Sequence, residues 1–201
     1  MKERGVTILD DELNGARITY HAGYLARTEA DTLFRWMSEN APWQREAPII
    51  FGKPREVRRR TCSFGEAGIR YSYSGVERVA LAWPELLRPV VPRLNEEIGA
   101  HFSFGLCNLY PDGDASIGKH QDAERDIVRD SPIVGLSLGS TRDFVLYDRS
   151  DRRVSEVALE HGSIVVMWGT TQRHYKHAVP PRKRVREPRV SVTFRVMVGG
   201  E

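Results

Sequence analysis

The sequence predicts a mainly β fold of the α+β class, an antiparallel sandwich or barrel braced by helices on one side. Two observations predict it. Helical patterns come first in the chain, and after residue 100 apolar residues recur with a period of two in short runs separated by Gly, Pro, Asp and Ser. A chain of 201 residues with 40% hydrophobic content suits one compact domain, so we expect a single domain over residues 1–201.

Two helices are predicted before the strands begin. The stretch Thr28–Glu39 (TEADTLFRWMSE) has Thr28 in place as an N-cap and an apolar stripe on one face. A second helix is predicted over Pro84–Ile98, since proline suits a first turn and Gly99 is placed to end it. The prolines inside this second stretch favour a break within it.

Short strands follow one another through the second half of the chain. The predicted strands are Phe102–Tyr110, Ile133–Leu138, Asp143–Tyr147, Ser163–Trp168 and Val190–Val198.

The last strand carries a functional signal. Its apolar residues alternate with Arg189, Ser191, Thr193 and Arg195, as in a strand with one face in the core and the other lining a wet cavity. Two arginines on that face can bracket a small dicarboxylate, because the guanidinium fork matches a carboxylate in two hydrogen bonds. The alternative is an exposed edge strand with two solvated arginines.

Basic residues cluster in two runs, and the pI is about 9.0 although the formal net charge is only +3. Such clusters are typical of a phosphate-binding face, and a solvated charged loop is the alternative for each. The runs consist of Arg55, Arg58, Arg59 and Arg60, and of Arg182, Lys183, Arg184 and Arg186.

The cysteines and the hydropathy of the chain indicate the compartment in which the protein is expected. Cys62 and Cys107 form neither a disulfide framework nor a zinc-binding pattern, so two small, semi-buried thiols in a reducing compartment are expected. The N-terminus lacks the apolar segment of a signal peptide, and no apolar run approaches the length of a membrane span. We expect a soluble intracellular protein without a membrane partner.

The motif His120-Gln121-Asp122 suggests a metal centre. On an extended backbone, residues two apart place their side chains on the same side, so His120 and Asp122 could bind one ion. A mononuclear non-haem iron oxygenase needs two imidazoles and one carboxylate on one face of the metal, with the other face open. The spacing alone leaves three candidates for the third ligand, namely His161, His174 and His177. A solvated loop is the alternative for the motif by itself.

Several motifs occur together in one order between about Phe51 and Met197. These are FGK, GEAGIRYSYSG, NLY, HQD, SPIVGLSLGSTRDF, HYKHAVP, EPR and RVSVTFR. In them the chain resembles the AlkB family of iron(II)- and 2-oxoglutarate-dependent dioxygenases, and most of all its vertebrate-type homologues that repair alkylated double-stranded DNA. The resemblance implies a double-stranded β-helix, or jelly roll, as the catalytic core over residues 100–198. It also implies nucleotide-recognition hairpins over 46–80 and an N-terminal extension with a helix over 1–45.

The resemblance assigns ligands of an Fe(II) ion and contacts of the 2-oxoglutarate cosubstrate, with dioxygen as the oxidant. It chooses His177 over His174, because His177 precedes the Ala-Val-Pro. It pairs Arg189 with the far carboxylate of 2-oxoglutarate and places Arg195 near the metal-bound end. The iron ligands implied are His120, Asp122 and His177, and the further cosubstrate contacts are Asn108 and Tyr110.

The resemblance also implies substrate contacts. Tyr73 matches the aromatic residue that stacks on a flipped base, with His120 on its other side, and Tyr71 and Glu124 match polar contacts at the base edge.

Other contacts implied by the resemblance lie along the duplex. Phe51, followed by Gly52, matches an apolar residue at a hairpin tip that fills the gap left by the flipped base. The structural alternative for Phe51 is the buried end of a strand. Arg59, across that hairpin, matches a residue that approaches the duplex. From its charge alone, and not from the resemblance, the basic run Arg182, Lys183 and Arg184 is assigned to phosphate contacts.

The implied activity is oxidative dealkylation of bases of the 1-methyladenine and 3-methylcytosine type in duplex DNA, with release of formaldehyde and succinate by a monomer. Two departures, Gln121 for an arginine and Ala123 for an acid, bear on base preference. Residues 1–45 show no sliding-clamp-binding motif. The alternatives are an RNA or single-strand demethylase and a catalytically silent nucleic-acid-binding module. The triad and the paired arginines argue against the silent module.

Overall fold

A computed structural model describes residues 5–45, 49–50, 53–54, 56–73 and 76–199. Within these ranges the helices are α1 (Arg27–Asn40), α2 (Val90–Ile98) and α3 (Thr171–His174). The strands of the first half are β1 (Val6–Asp11), β2 (Ala16–His21), β3 (Gln44–Arg45), β4 (Ile49–Ile50), β5 (Lys53–Pro54), β6 (Arg60–Gly65), β7 (Arg70–Tyr73), β8 (Val76–Val79) and β9 (Leu81–Ala82). Those of the second half are β10 (Phe104–Tyr110), β11 (Ile117–His120), β12 (Ile133–Gly139), β13 (Arg142–Tyr147), β14 (Arg153–Leu159), β15 (Ser163–Gly169), β16 (Lys176–Val179) and β17 (Arg189–Arg195).

The described strands form two facing sheets and two small hairpins. The large sheet has the order β1-β2-β15-β12-β17-β10-β6-β3, with β9 beside β6, and the small sheet has the order β11-β16-β13-β14. Apolar side chains of both sheets pack together in one cluster, including Ile133 and Val165 of the large sheet and Phe144 and Leu146 of the small one. This is the sandwich of a jelly roll, as predicted.

Helices α1 and α2 cover the outer face of the large sheet. Leu33 and Met37 of α1 and Leu94 of α2 share a core cluster with the outward side chains of β17, among them Val192 and Phe194. The predicted bracing by helices on one side is therefore confirmed. None of the helices among the described residues is long and apolar enough to cross a membrane.

Helix boundaries follow local chemistry that the sequence only partly reveals. α1 begins at Arg27 after Ala26, without a side-chain cap, so the prediction of Thr28 as N-cap is wrong. Thr28 already lies inside the first turn, where its carbonyl accepts a hydrogen bond from the Thr32 hydroxyl at 2.8 Å. α2 begins only at Val90, so the predicted start at Pro84 is wrong. The stretch before Val90 forms turns, in line with the break that the prolines favour. Gly99 ends α2 in a left-handed conformation (φ 74°) that favours glycine.

The first strands belong to the large sheet. β1 and β2, in the region expected to be an extension, pair with each other, and β2 pairs with β15. The two cysteines also lie in this sheet, opposite each other on β6 and β10, as free buried thiols within the core cluster that the helices cover.

Candidate metal and cosubstrate site

The fold brings three metal-binding side chains together between β11 and β16. His120, the last residue of β11, lies directly opposite His177 of β16 in the antiparallel register, and their ring centroids are 4.2 Å apart. Asp122 follows two residues after β11. The potential ligand atoms of these three residues all lie within 4.8 Å of one another. His161 is engaged elsewhere, because its Nδ1 accepts the backbone N–H of Gly139 at 2.8 Å.

The charge states of the cluster suit metal binding. His120 donates its Nδ1–H to the carbonyl of Gly118 at 2.8 Å, which leaves Nε2 for a metal ion. Burial lowers the pKa of His177 to about 3, so its imidazole is neutral near pH 7. Burial opposes ionisation of Asp122, yet the neighbouring charge of Arg195 and its hydrogen bond favour it, and the pKa of the carboxyl group is lowered to about 2. Two neutral imidazoles and one carboxylate are the set that an Fe(II) ion requires.

Hydrogen bonds fix Asp122 from two sides. Arg195 Nη2 lies 2.9 Å from its Oδ1, and both side chains are buried. Its backbone N–H donates to Oε1 of Gln172, in the short helix α3, at 2.9 Å. Gln121 donates from Nε2 to the carbonyl of Tyr175, just after α3, at 3.3 Å. The loop that carries the metal ligand is thus held against α3. Sequence reasoning missed Gln172, because α3 is only four residues long and shows no periodic pattern.

The polar face of β17 lines the same cavity as the metal cluster. Arg189, Ser191, Thr193 and Arg195 all point into it, whereas the apolar residues between them pack into the helix-covered core. Since β17 lies between β10 and β12, the alternative of an exposed edge strand is wrong.

Two predicted cosubstrate contacts lie on the neighbouring strand β10. Tyr110 faces Arg189 in the register and Asn108 faces Ser191. The guanidinium of Arg189 lies 5.0 Å from the centroid of the Tyr110 ring. Its Nε donates to the Ser137 hydroxyl at 2.9 Å, which fixes its direction.

The two arginines of β17 carry buried N–H donors that are available to a dicarboxylate. Among the described residues, no hydrogen-bond partner is found for the buried Nη1 of Arg189 or for Nε and Nη1 of Arg195. A buried donor without an acceptor is costly, so these atoms point to a bound anion. Arg59 also lines the cavity, and the three guanidinium groups there outnumber the carboxylate of Asp122. The cavity therefore fits 2-oxoglutarate.

Two residues predicted at the base edge lie next to the metal cluster. Tyr71 is fully buried, and the guanidinium of Arg195 lies 4.8 Å from the centroid of its ring. Glu124 is half-buried, and burial together with the charge of Asp122 raises the pKa of its carboxyl group. Tyr73 belongs to the same strand β7 as Tyr71, but its side chain lies outside the described residues.

The remaining predicted substrate contacts are scattered. Arg59 is 6% exposed and donates from Nη1 to the carbonyl of Ser116 at 3.3 Å, so it lines the cavity and would have to leave it to approach a duplex. Phe51 and Gly52 lie outside the described residues. The basic run is exposed at Arg182, Lys183 and Arg184. Arg182 Nη1 lies 3.5 Å from the Asp143 carboxylate, which partly neutralises its charge.

Comparison with known proteins agrees with this site. A model of the 2OG-Fe(II) oxygenase superfamily matches residues 17–195, and the chain therefore belongs to that superfamily. It is an Fe(II)- and 2-oxoglutarate-dependent dioxygenase. When bound, the iron and the cosubstrate supply oxidising power through oxidative decarboxylation with dioxygen, while the protein's own residues bind, orient and exclude water.

Among individual relatives, the chain is similar to DNA oxidative demethylase ALKBH2 of Mus musculus, with 36% identity over 180 residues, or 84% of this chain and 75% of that protein. Human alpha-ketoglutarate-dependent dioxygenase alkB homolog 3 is 30% identical over 192 residues, or 90% of this chain and 66% of that protein. A solved structure described as that of OsALKBH1 superposes with a TM-score of 0.63 at 18% identity, covering 94% of this chain and 99% of that one. This last likeness supports the jelly-roll fold.

Proposed function

We propose that this dioxygenase is a DNA oxidative demethylase that acts as a monomer inside the cell. It removes alkyl groups from bases of the 1-methyladenine and 3-methylcytosine type and releases formaldehyde and succinate. The observation that carries the proposal is the similarity to DNA oxidative demethylase ALKBH2 over 84% of the chain. The metal cluster and the buried arginines of the site lie within residues 17–195, which the 2OG-Fe(II) oxygenase superfamily model matches.

Base capture follows from the surroundings of the metal cluster. A base within a duplex cannot reach a buried metal centre, so it must be flipped out of the stack. Tyr71 and Glu124 lie close to Arg195 and Asp122, and this supports our assignment of both side chains to the edge of the flipped base. We assign Tyr73 and His120 to the two faces of the base.

The duplex preference rests on two further assignments. Lys183 and Arg184 are exposed and assigned to phosphates, whose contacts add affinity without reading sequence. Phe51, with Gly52 behind it, is assigned to the wedge that replaces the flipped base. An inserted apolar side chain offsets part of the lost stacking, which is on the order of a few kcal/mol per step. A single strand has no such gap to fill.

The test compares one methylated sequence as duplex DNA, single-stranded DNA and RNA, with wild-type protein and Phe51→Ala. We expect Phe51→Ala to lower dealkylation of the duplex strongly and of the single strand slightly. Leu13→Ala is the matched control, because Leu13 is an apolar side chain that is 94% exposed in the turn between β1 and β2. Equal losses on duplex and single strand would refute the wedge. Wild-type turnover on RNA alone would replace the proposed substrate with RNA.

A further inference from the structure

Arg142 is a buried cation within the jelly roll. It is the first residue of β13 and is 0% exposed. The alternation of β13 places it on the same face as Phe144 and Leu146, which pack between the two sheets. Arginine is rarely buried so completely without a carboxylate partner, and among the described residues Arg142 forms no ion pair.

Backbone carbonyl groups take the place of a counter-ion. The Arg142 guanidinium donates to the carbonyl of Asp112 at 3.2 Å, to that of Ala115 at 2.8 Å and to that of Pro180 at 2.7 Å. Asp112 and Ala115 lie in the connection from β10 to β11, and Pro180 directly follows β16. These three strands carry Tyr110, His120 and His177. Arg142 therefore connects two loops. One runs from the cosubstrate strand β10 into the metal-binding strand β11, and the other begins at the end of the metal-binding strand β16.

The same two loops are also bonded to each other. Gly113 donates its backbone N–H to the carbonyl of Val185 at 2.9 Å, and Arg182 donates its N–H to the carbonyl of Gly113 at 2.7 Å. The three hydrogen bonds that Arg142 donates to carbonyl groups thus reach two loops that are also hydrogen-bonded to each other.

Arg142 also adds charge behind the cosubstrate site. Its guanidinium lies 5.7 Å from the centroid of the Tyr110 ring, and the guanidinium of Arg189 lies 5.0 Å from the same ring. Burial lowers the pKa of Arg189, and the charge of Arg142 lowers it further. Two neighbouring cations that repel each other favour an incoming anion at this end of the cavity, where the buried Nη1 of Arg189 has no hydrogen-bond partner among the described residues.

We propose that Arg142 is a positioning residue that also sets cosubstrate specificity. Its hydrogen bonds to the three backbone carbonyl groups hold Tyr110 and the two loops in place. Its charge, added to that of Arg189, favours a 2-oxo acid with a second carboxylate over one with an uncharged tail. The proposal rests on the assignment of Arg189 to the far carboxylate. It is independent of the proposed DNA substrate, so it is tested without nucleic acid.

The experiment measures equilibrium binding to Mn(II)-loaded protein by calorimetry, with 2-oxoglutarate and with 2-oxopentanoate, which has the same chain length and no second carboxylate. Arg142→Met removes the charge, and we expect it to lower the ratio of the two affinities about tenfold, the scale of a charge interaction across a buried ring. Arg142→Lys keeps the charge but cannot donate all three hydrogen bonds to the carbonyl groups. The affinities for 2-oxoglutarate and for 2-oxopentanoate should therefore both fall, while their ratio stays near the wild-type value.

Arg149→Met is the matched control. Arg149 also donates to a backbone carbonyl, that of Arg173 at 3.1 and 3.2 Å, but it is exposed and away from the cavity. It should leave both affinities unchanged. The proposal would be overturned if Arg142→Met kept the wild-type ratio of the two affinities, or if Arg142→Lys lowered that ratio as far as the loss of the charge is expected to. Should Arg142→Met fail to fold, the ratio in Arg142→Lys decides alone.

Discussion

Gln172 offers a test of how the fold holds the metal ligand Asp122. Gln172→Leu removes the acceptor of the Asp122 backbone N–H, now bonded at 2.9 Å, and keeps the side-chain volume nearly constant. Asp122 is only 5% exposed, so water replaces the lost partner poorly. Leaving a buried donor unsatisfied costs about 1–3 kcal/mol. In the metal-free protein the loop can shift to relieve this cost, so most of it should appear as weaker metal binding.

The expected loss of Mn(II) affinity in Gln172→Leu is about 10- to 100-fold, since 1.4 kcal/mol corresponds to a factor of ten and outer partners of metal ligands have effects of this size. Calorimetric titration of Mn(II) without cosubstrate measures it, with thermal unfolding as a check on the fold. Gln121→Leu is the comparison variant: its bond to the Tyr175 carbonyl also holds the loop but is longer, at 3.3 Å, and does not involve an atom of a ligand residue, so a smaller loss is expected. Wild-type affinity in Gln172→Leu, or an equal loss in Gln121→Leu, would refute the reasoning.

Three further predictions concern the ligands, the cosubstrate and the nucleic acid. His177→Ala should abolish turnover and lower Mn(II) affinity while His174→Ala keeps both, and the reverse pattern would move the third ligand to His174. Arg189→Lys should raise the 2-oxoglutarate concentration for half-maximal rate about tenfold and leave that for DNA nearly unchanged, because lysine keeps the charge but loses the planar fork. Replacing Lys183 and Arg184 by Gln should weaken DNA binding equally for all sequences and lower the slope of log affinity against log salt by up to about 2; equal slopes would make the run a solvated loop.

The sequence predicts those parts of the site that a single element contains. The alternation in β17 predicts correctly that Arg189 and Arg195 face a cavity, because one face of this strand packs against the helices and the other lines the cavity between the two sheets. The pairing of His120 with His177 could not be read from spacing, since the register of β11 against β16 is set by the whole small sheet. The family resemblance supplied that choice.

The missed features depend on tertiary structure or on weak local signals. β1 and β2 were expected to belong to an N-terminal extension, although the Asn14-Gly15 pair between them is a recognised hairpin signal. Arg142 shares the inward face of β13 with Phe144, so the alternation could have revealed it as an arginine in the core. The N-cap of α1 was misassigned because the chain enters the helix at Ala26, a residue with no capping side chain.

The proposal of oxidative DNA dealkylation is tested most directly by product stoichiometry. A duplex oligonucleotide with one 1-methyladenine is incubated with the protein, Fe(II), 2-oxoglutarate and dioxygen, and succinate, formaldehyde and unmodified adenine are quantified together. The account predicts that the three products accumulate in equal amounts and that none forms with Asp122→Ala, which lacks the carboxylate of the metal cluster. Succinate without unmodified adenine, or tight binding of the methylated duplex without succinate, would contradict it.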